Sequence, residues 1–252
     1  MATQRLFFTN NNNEKIGARL DSPDGEVKAY ALFAHCFTCH KNLNAVRNIS
    51  NALTAAGIAV LRFDFTGLGE SEGDFADTNF SSNVDDLVTA ARFLSTEFEH
   101  PKLLIGHSLG GAAVLMAGTQ LPDVQAVVTI GAPCDPEHVT HMLQCSIEEI
   151  EANGQANVQL AGRPFTIKKQ FLDDLAEQNM TSVIRSLKRP LLVCHSPIDN
   201  TVGVDNAGHI FTHALHPKSF LSLGKADHLL TKAADAKYAG GMIAAWAAPY
   251  LE

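Results

Sequence analysis

No stretch of this 252-residue sequence is apolar for the length that a bilayer crossing needs, which excludes a membrane-spanning reading. Basic residues are outnumbered, 19 Lys and Arg against 27 Asp and Glu, for a formal net charge of −8 at pH 7. They also form no cluster. Nucleic-acid binding is carried mainly by grouped cations, so a phosphate-backbone partner is excluded as well. The N-terminal residues, Met1 to Asn11, lack an apolar core followed by a small-residue cleavage site, and a cytoplasmic protein is expected. Cysteine is scarce and odd in number, five in all; without an export signal these are expected to be reduced thiols. Neither a metal nor a disulfide is needed for stability at this length, because a chain of this size buries roughly three-quarters of its unfolded surface.

What remains is an ordinary globular composition, 46% hydrophobic and 18% charged, arranged in alternating strand and helix patterns. Arg5 to Thr9 and Ile16 to Leu20 are β-prone runs around the turn-forming Asn10 to Asn13, which predicts an N-terminal hairpin. Ala29 to His35 is a continuous apolar strand of the kind buried on both faces of a parallel sheet. A helix over Leu43 to Ala56, stopped by Gly57, and a strand over Ile58 to Phe65 continue the rhythm. Ser82-Asn83-Val84-Asp85 reads as a capping box opening a helix to about Glu99. Strands follow at Lys102 to His107, Ala126 to Ala132, Pro190 to Ser196 and Ser219 to Leu223, with helices after His107, over Val204 to Ala214 and over Thr231 to Tyr250. This is a single α/β domain, residues 1–252, with a mostly parallel central sheet flanked by helices.

More than fifty residues separate the strand at Ala126 from the next one, too many for a structureless loop. The interval 134–187 is therefore expected to be an insertion with elements of its own, a lid. Ser146-Ile147-Glu148-Glu149 is a second capping-box pattern with Gly154 as its stop; a hairpin is expected over Val158 to Ile167, then a helix striped by Phe171, Leu172 and Leu175.

The chemistry centres on Leu103-Leu104-Ile105-Gly106-His107-Ser108-Leu109-Gly110-Gly111, an apolar strand ending in a sharp turn that opens into a helix. This is the pattern of a nucleophile elbow, which exposes Ser108 above the sheet and turns helix N–H groups toward it. A serine hydroxyl needs a base, and the base needs an orienting acid; in this arrangement the chain order is Ser, acid, His, each at a strand end. Asp199 follows the strand over Leu192 to His195, and His228 follows the last strand. Asp135 is the competing acid. His195 lies on the wrong side of Asp199, and His107, next to the nucleophile, is expected to point away from the reaction centre. An oxyanion would be held by the backbone N–H of Leu109 and by one from the loop after His35, with Phe37 as the expected donor.

Cys36-Phe37-Thr38-Cys39-His40 also has the spacing of a c-type haem attachment or of a thiol redox pair. Haem attachment belongs with export, and a redox pair should open a helix, whereas the first periodic residue here is Leu43. Thiols lining a tight loop are expected instead, and no cofactor or metal. Asp64 and Gly67-Leu68-Gly69 lack the Lys-Ser/Thr of a phosphate loop, so backbone turning near the site is expected of them, and Phe63, Phe65, Phe75 and Phe80 read as core.

Three blocks, Ala34 to Cys39, Arg62 to Gly73 and Gly106 to Leu115, make the sequence resemble the α/β-hydrolase superfamily, and within it the hydrolase half of bifunctional α/β-hydrolase/OsmC-like proteins. The resemblance implies the α/β-hydrolase fold and a serine hydrolase with Ser108, Asp199 and His228 as its triad. Two departures accompany it. His35-Cys36 stands where most hydrolases have His-Gly, and the matching sequence ends at Glu252 without an OsmC-like part, so no peroxidase activity is carried over. The expected function is cleavage of small to medium acyl esters through an acyl-enzyme, with the substrate a small molecule. Alternatives are a thioesterase or C–C bond hydrolase on the same triad, or a thiol redox protein using Cys36 and Cys39.

Overall fold

Alternation of apolar residues along the central strands decides the architecture. In β3 (Ala29–Ala34), Leu32 and Ala34 pack into one buried layer while Ala31 and Phe33 pack into the other. A strand buried on both faces needs helices on both faces, and the chain supplies them. The computed structural model describes residues 2–36, 38–160 and 162–251, apart from the side chains of Met142 and Cys145.

β1 (Ala2–Thr9) and β2 (Lys15–Ser22) form the expected antiparallel hairpin, with Phe8 opposite Ile16. The other strands of the main sheet are β3, β4 (Ile58–Phe63), β5 (Pro101–His107), β6 (Ala126–Ile130), β9 (Leu191–His195) and β10 (Lys218–Ser222). The eight strands run in the order β1-β2-β4-β3-β5-β6-β9-β10, parallel from β4 onward. One face is covered by α1 (Asn44–Ala55) and α9 (Ala233–Ala247), the other by α2 (Phe80–Glu97), α3 (Leu109–Gln120) and α8 (Asp205–His213). Because β4, β3, β5, β6, β9 and β10 are parallel, the loops leaving β3, β5, β9 and β10 all open at one edge of the sheet.

Between β6 and β9 the insertion holds α4 (Thr140–Leu143), α5 (Ile147–Asn153), the hairpin β7 (Gln155–Leu160) and β8 (Arg163–Lys168), α6 (Lys169–Ala176) and α7 (Met180–Ser186). Its apolar residues, among them Leu143, Ile150, Ile167, Phe171 and Ile184, join the same buried layer as α2 and α3. No helix among the described residues is long and apolar enough to cross a membrane.

Several boundaries differ from expectation for local reasons. The box that opens α2 is Asn79 with Ser82, not Ser82 with Asp85. The Asn79 side chain accepts from Ser82 N–H, and the Ser82 hydroxyl oxygen accepts from Asn79 N–H. Asn caps as well as Ser does, so the earlier residue starts the helix. The Ser146 box does not form: the residue sits at φ −122°, ψ −2° at the end of a 3-10 turn, where the chain is already coiled rather than extended. Gly154 stops α5 as expected, at φ +79°. The helix α7 was not anticipated; Asn179 caps it through Ser182 N–H at 3.1 Å.

The expectation of reduced thiols fails at one pair. Cys36 and Cys39 are joined by a disulfide, in a turn that sets their Cα atoms 5.4 Å apart, inside the range such a bond spans. Cys134 and Cys194 are free.

Candidate active site

Ser108 sits where β5 turns into α3, at φ +56°, ψ −126°, a region that L residues seldom adopt. The turn is held by Ser108 N–H donating to the Ile130 carbonyl at 2.8 Å and by Gly111 N–H donating to the Ser108 carbonyl at 2.8 Å. The helix approaches β3 so closely that a Cβ on Gly110 would lie 2.5 Å from the His35 carbonyl oxygen. That closeness places the first turn of α3, beginning at Leu109, directly beneath the serine.

His228 comes from the loop after β10 and Asp199 from the loop after β9. Ser108 Oγ lies 3.0 Å from His228 Nε2, and His228 Nδ1 lies 2.7 Å from Asp199 Oδ2. With Nδ1–H donating to the carboxylate, the Nε2 lone pair faces the serine hydroxyl. Burial on its own would raise the Asp199 pKa, but the hydrogen bonds from His228 and from the Val202 and Thr201 N–H groups, both 2.9 Å to Oδ1, outweigh it. The carboxyl is held below its ordinary range and stays charged.

The rivals are otherwise engaged. Asp135 caps a short 3-10 turn, its Oδ1 accepting from Glu137 N–H at 3.0 Å. His195 donates from Nε2 to the Val202 carbonyl at 2.8 Å, behind Asp199. His107 departs from expectation: its ring lies against that of His228, centroids 5.2 Å apart, because Nε2–H donates to the His228 backbone carbonyl at 2.7 Å. Its burial, reinforced by His228, pushes its pKa down to about 3, so it is a neutral prop for the loop.

The loop after β3 carries Cys36, Thr38 and Cys39; the expected donor Phe37 lies outside the described residues. Cys39 N–H donates to the Cys36 carbonyl at 3.1 Å, closing a four-residue turn with Thr38 at φ +61°. His35 Nδ1–H donates to the Cys36 carbonyl at 2.8 Å, and burial lowers the His35 pKa to about 4. From the insertion, the Arg163 guanidinium donates to the Thr38 carbonyl.

Lys41 was missed. It is fully buried and bonded to Asp64 and, at 2.8 Å, to Glu70. Its own N–H donates to Asp64 Oδ1 at 2.6 Å, and its carbonyl accepts from Arg62 Nη1 at 2.7 Å. Glu70 N–H donates to Asp64 Oδ2 at 2.9 Å, so Asp64 does organise the turning backbone, as expected of it. Two carboxylates in one short glycine-rich segment, Asp64 and Glu70, were the available signal that a buried cation had to be found elsewhere.

A cavity of about 290 Å³ opens over Ser108 and His228. Its apolar wall comes from Leu109, Pro133, Val139, Leu160, Val202 and Leu229, and the Cys36–Cys39 pair and Thr38 form part of its rim. Among the described residues, no group of three or more His, Cys, Asp or Glu side chains could hold a metal ion.

Comparisons with known proteins agree with this fold. Residues 25–183 match the model of the family described as Serine aminopeptidase, S33. The esterase domain of a Rhodothermus marinus protein has a crystal structure that superposes with a TM-score of 0.82, at 52% identity and with both chains covered over 100% of their length. The mitochondrial palmitoyl-protein thioesterase ABHD10 of Rattus norvegicus is 26% identical over 187 residues, 71% of this chain. That match spans only 62% of the rat protein's length. The structure of mouse alpha/beta hydrolase domain-containing protein 10, 19% identical with a TM-score of 0.79 over 98% of this chain and 99% of that one, shares the fold.

Proposed function

This chain belongs to the α/β-hydrolase superfamily, as a member of the S33 serine aminopeptidase family, and on that premise we propose that it is a serine carboxylesterase acting on small to medium acyl esters. The observation that carries the reading is the hydrogen-bonded chain from Ser108 through His228 to Asp199, at 3.0 and 2.7 Å. His228 Nε2 takes the serine proton as Oγ attacks the ester carbonyl. Asp199 fixes the ring with Nδ1–H toward itself and stabilises the imidazolium that forms. The tetrahedral oxyanion rests on the N–H of Leu109 at the start of α3, with the N–H of Phe37 as the second donor. His228 returns the proton to the leaving alcohol, and water, activated by the same ring, releases the acyl group.

The insertion, residues 134–187, serves in this reading as a lid: Val139 and Leu160, which belong to it, wall the cavity above the serine. A volume of about 290 Å³ with an apolar wall suits an uncharged acyl chain. A thioester is the second reading, favoured by the thioesterase name of the rat relative.

The test is hydrolysis of p-nitrophenyl esters from acetate to laurate, beside acyl thioesters of the same lengths, by the wild type and by Ser108→Ala. Turnover that peaks at one chain length and vanishes in the variant is expected. Turnover that survives the substitution would sink the serine mechanism, and a preference for thioesters at every length would select the second reading.

A further inference from the structure

We propose that the Cys36–Cys39 disulfide is a second reactive site, open to small dithiols that enter through the substrate cavity, and that its reduction switches the esterase down. The inference rests on the serine reading above. Both sulfur-bearing residues line the cavity that contains Ser108 and His228, so a molecule able to reach the serine also reaches the disulfide. Cys36 is only 3% exposed, while Cys39 is half-buried, so Cys39 is the more accessible of the two to an incoming thiolate.

The exchange balances with the dithiol alone. One of its thiolates attacks Cys39 Sγ; the Cys36–Cys39 bond breaks, and its electron pair leaves on Cys36 Sγ, which takes a proton from water. The second thiol of the reagent then loses its proton and displaces Cys39 Sγ from the mixed disulfide. The protein gains two electrons and two protons as two thiols, and the reagent leaves as a cyclic disulfide. Cys194 does not compete, since it is buried and its thiol pKa is pushed far above the usual range.

The consequence for turnover follows from the turn that the disulfide closes. Thr38, a β-branched residue, sits at φ +61°, a conformation such side chains resist. Three links hold it there: the disulfide, the 3.1 Å bond from Cys39 N–H to the Cys36 carbonyl, and the bond from Arg163 to the Thr38 carbonyl. Reduction removes the covalent link and leaves a strained turn on two hydrogen bonds. The turn relaxes, and the loop on which the second oxyanion donor is proposed to sit moves away from the carbonyl under attack. Loss of one such donor lowers kcat by about 10² to 10³, so a displaced one should lower it by roughly tenfold or more.

The experiment follows one wild-type preparation through oxidised, dithiothreitol-reduced and re-oxidised states. Three readouts are taken in each: kcat and KM for p-nitrophenyl butyrate, the rate of Ser108 labelling by a fluorophosphonate, and the mass of the Cys36–Cys39 peptide after iodoacetamide. The expected result is a fall in kcat and labelling of about tenfold to 10³ on reduction, with KM changed far less, and recovery on re-oxidation. Cys36→Ser/Cys39→Ser should be fixed at the low level and indifferent to dithiothreitol, while Cys134→Ser should respond as the wild type does. Unchanged kcat and labelling in a sample whose peptide carries two alkyl groups would overturn the inference alone, as would a pair that dithiothreitol fails to reduce in the native protein. No labelling of Ser108 in either state would overturn the serine reading and this inference with it.

Discussion

Two substitutions at Ser108 should differ in stability with the sign opposite to that found in a helix. The residue is held at φ +56°, ψ −126°, where a side chain with a Cβ costs about 1–3 kcal/mol and glycine costs nothing comparable. Ser108→Ala and Ser108→Gly both remove the 3.0 Å contact with His228 Nε2, so that loss cancels when they are compared. Glycine adds a penalty of about 0.5–1 kcal/mol through the freer unfolded chain. The difference leaves the glycine variant more stable than the alanine variant by about 1 kcal/mol, and by no more than ~2.5. At this chain length that is a shift in midpoint of roughly 2–4 °C for each kcal/mol, well within calorimetric resolution. The control is Ser95, in the last turn of α2, whose hydroxyl donates to the Ala91 carbonyl at 2.9 Å; there Gly should be less stable than Ala by about 0.5 kcal/mol. An alanine variant at 108 that melts at or above the glycine variant would refute the claim that strain is stored at the serine.

Lys41→Met should destabilise the fold by about 3–5 kcal/mol, because it leaves Asp64, 1% exposed, as a buried carboxylate without its cation. Urea denaturation at pH 8 measures this, and a loss under ~1 kcal/mol would show that the backbone N–H groups of residues 41 and 70 suffice for Asp64. Acid should weaken the fold before the carboxylates titrate. His35 and His107 have folded pKa values of about 4 and about 3, below the ordinary 6.5, so between pH 6.5 and those values the unfolded chain binds protons that the folded one refuses. Stability is therefore complete above pH 6.5 and falls as pH drops, by about 2 kcal/mol per histidine at pH 5. Below pH 4 a second loss follows, as Asp199, Asp21 and Asp64, all held under their ordinary values, take up protons. Stability level from pH 7 to pH 5 would contradict the burial argument.

Local rules carried most of the sheet. Continuous apolar runs located β3 to β6 and β9 within a residue or two, because a strand buried on both faces leaves little freedom in composition. Connectivity ties Ser108, Asp199 and His228 each to a strand end, and the fold brings those three side chains into one hydrogen-bonded chain. What stayed hidden was set by contacts distant along the chain. Lys41 pairs with Asp64 across 23 residues and Arg163 reaches Thr38 across 125, and no periodicity encodes either. The disulfide was the opposite case: its spacing was visible, but compartment reasoning argued for free thiols, and the geometry of one turn overrode it.

The buried histidines show why composition misleads about a site of this kind. Eleven histidines suggest many candidate bases, yet His35, His107 and His195 each turn one ring nitrogen to a backbone carbonyl, and the other nitrogen makes no hydrogen bond, although that of His35 lies 4.0 Å from Asp64 Oδ1. The carbonyls belong to Cys36, His228 and Val202, in the loop carrying the second proposed oxyanion donor, the loop of the base and the loop of the acid. A tight loop cannot return its own carbonyls to a ladder, and an unpaired buried carbonyl costs about as much as a lost hydrogen bond; of the three, the Cys36 carbonyl also takes the Cys39 N–H. Rings at the strand ends meet that need from below. A neutral imidazole suits the task at His35 and His107, since it offers one N–H to the carbonyl, whereas a second proton would put a buried charge on a nitrogen that makes no hydrogen bond. Protonation at His35 or His107 therefore strikes the loops that assemble the site, and the acid weakening predicted above should open those loops before it opens the sheet.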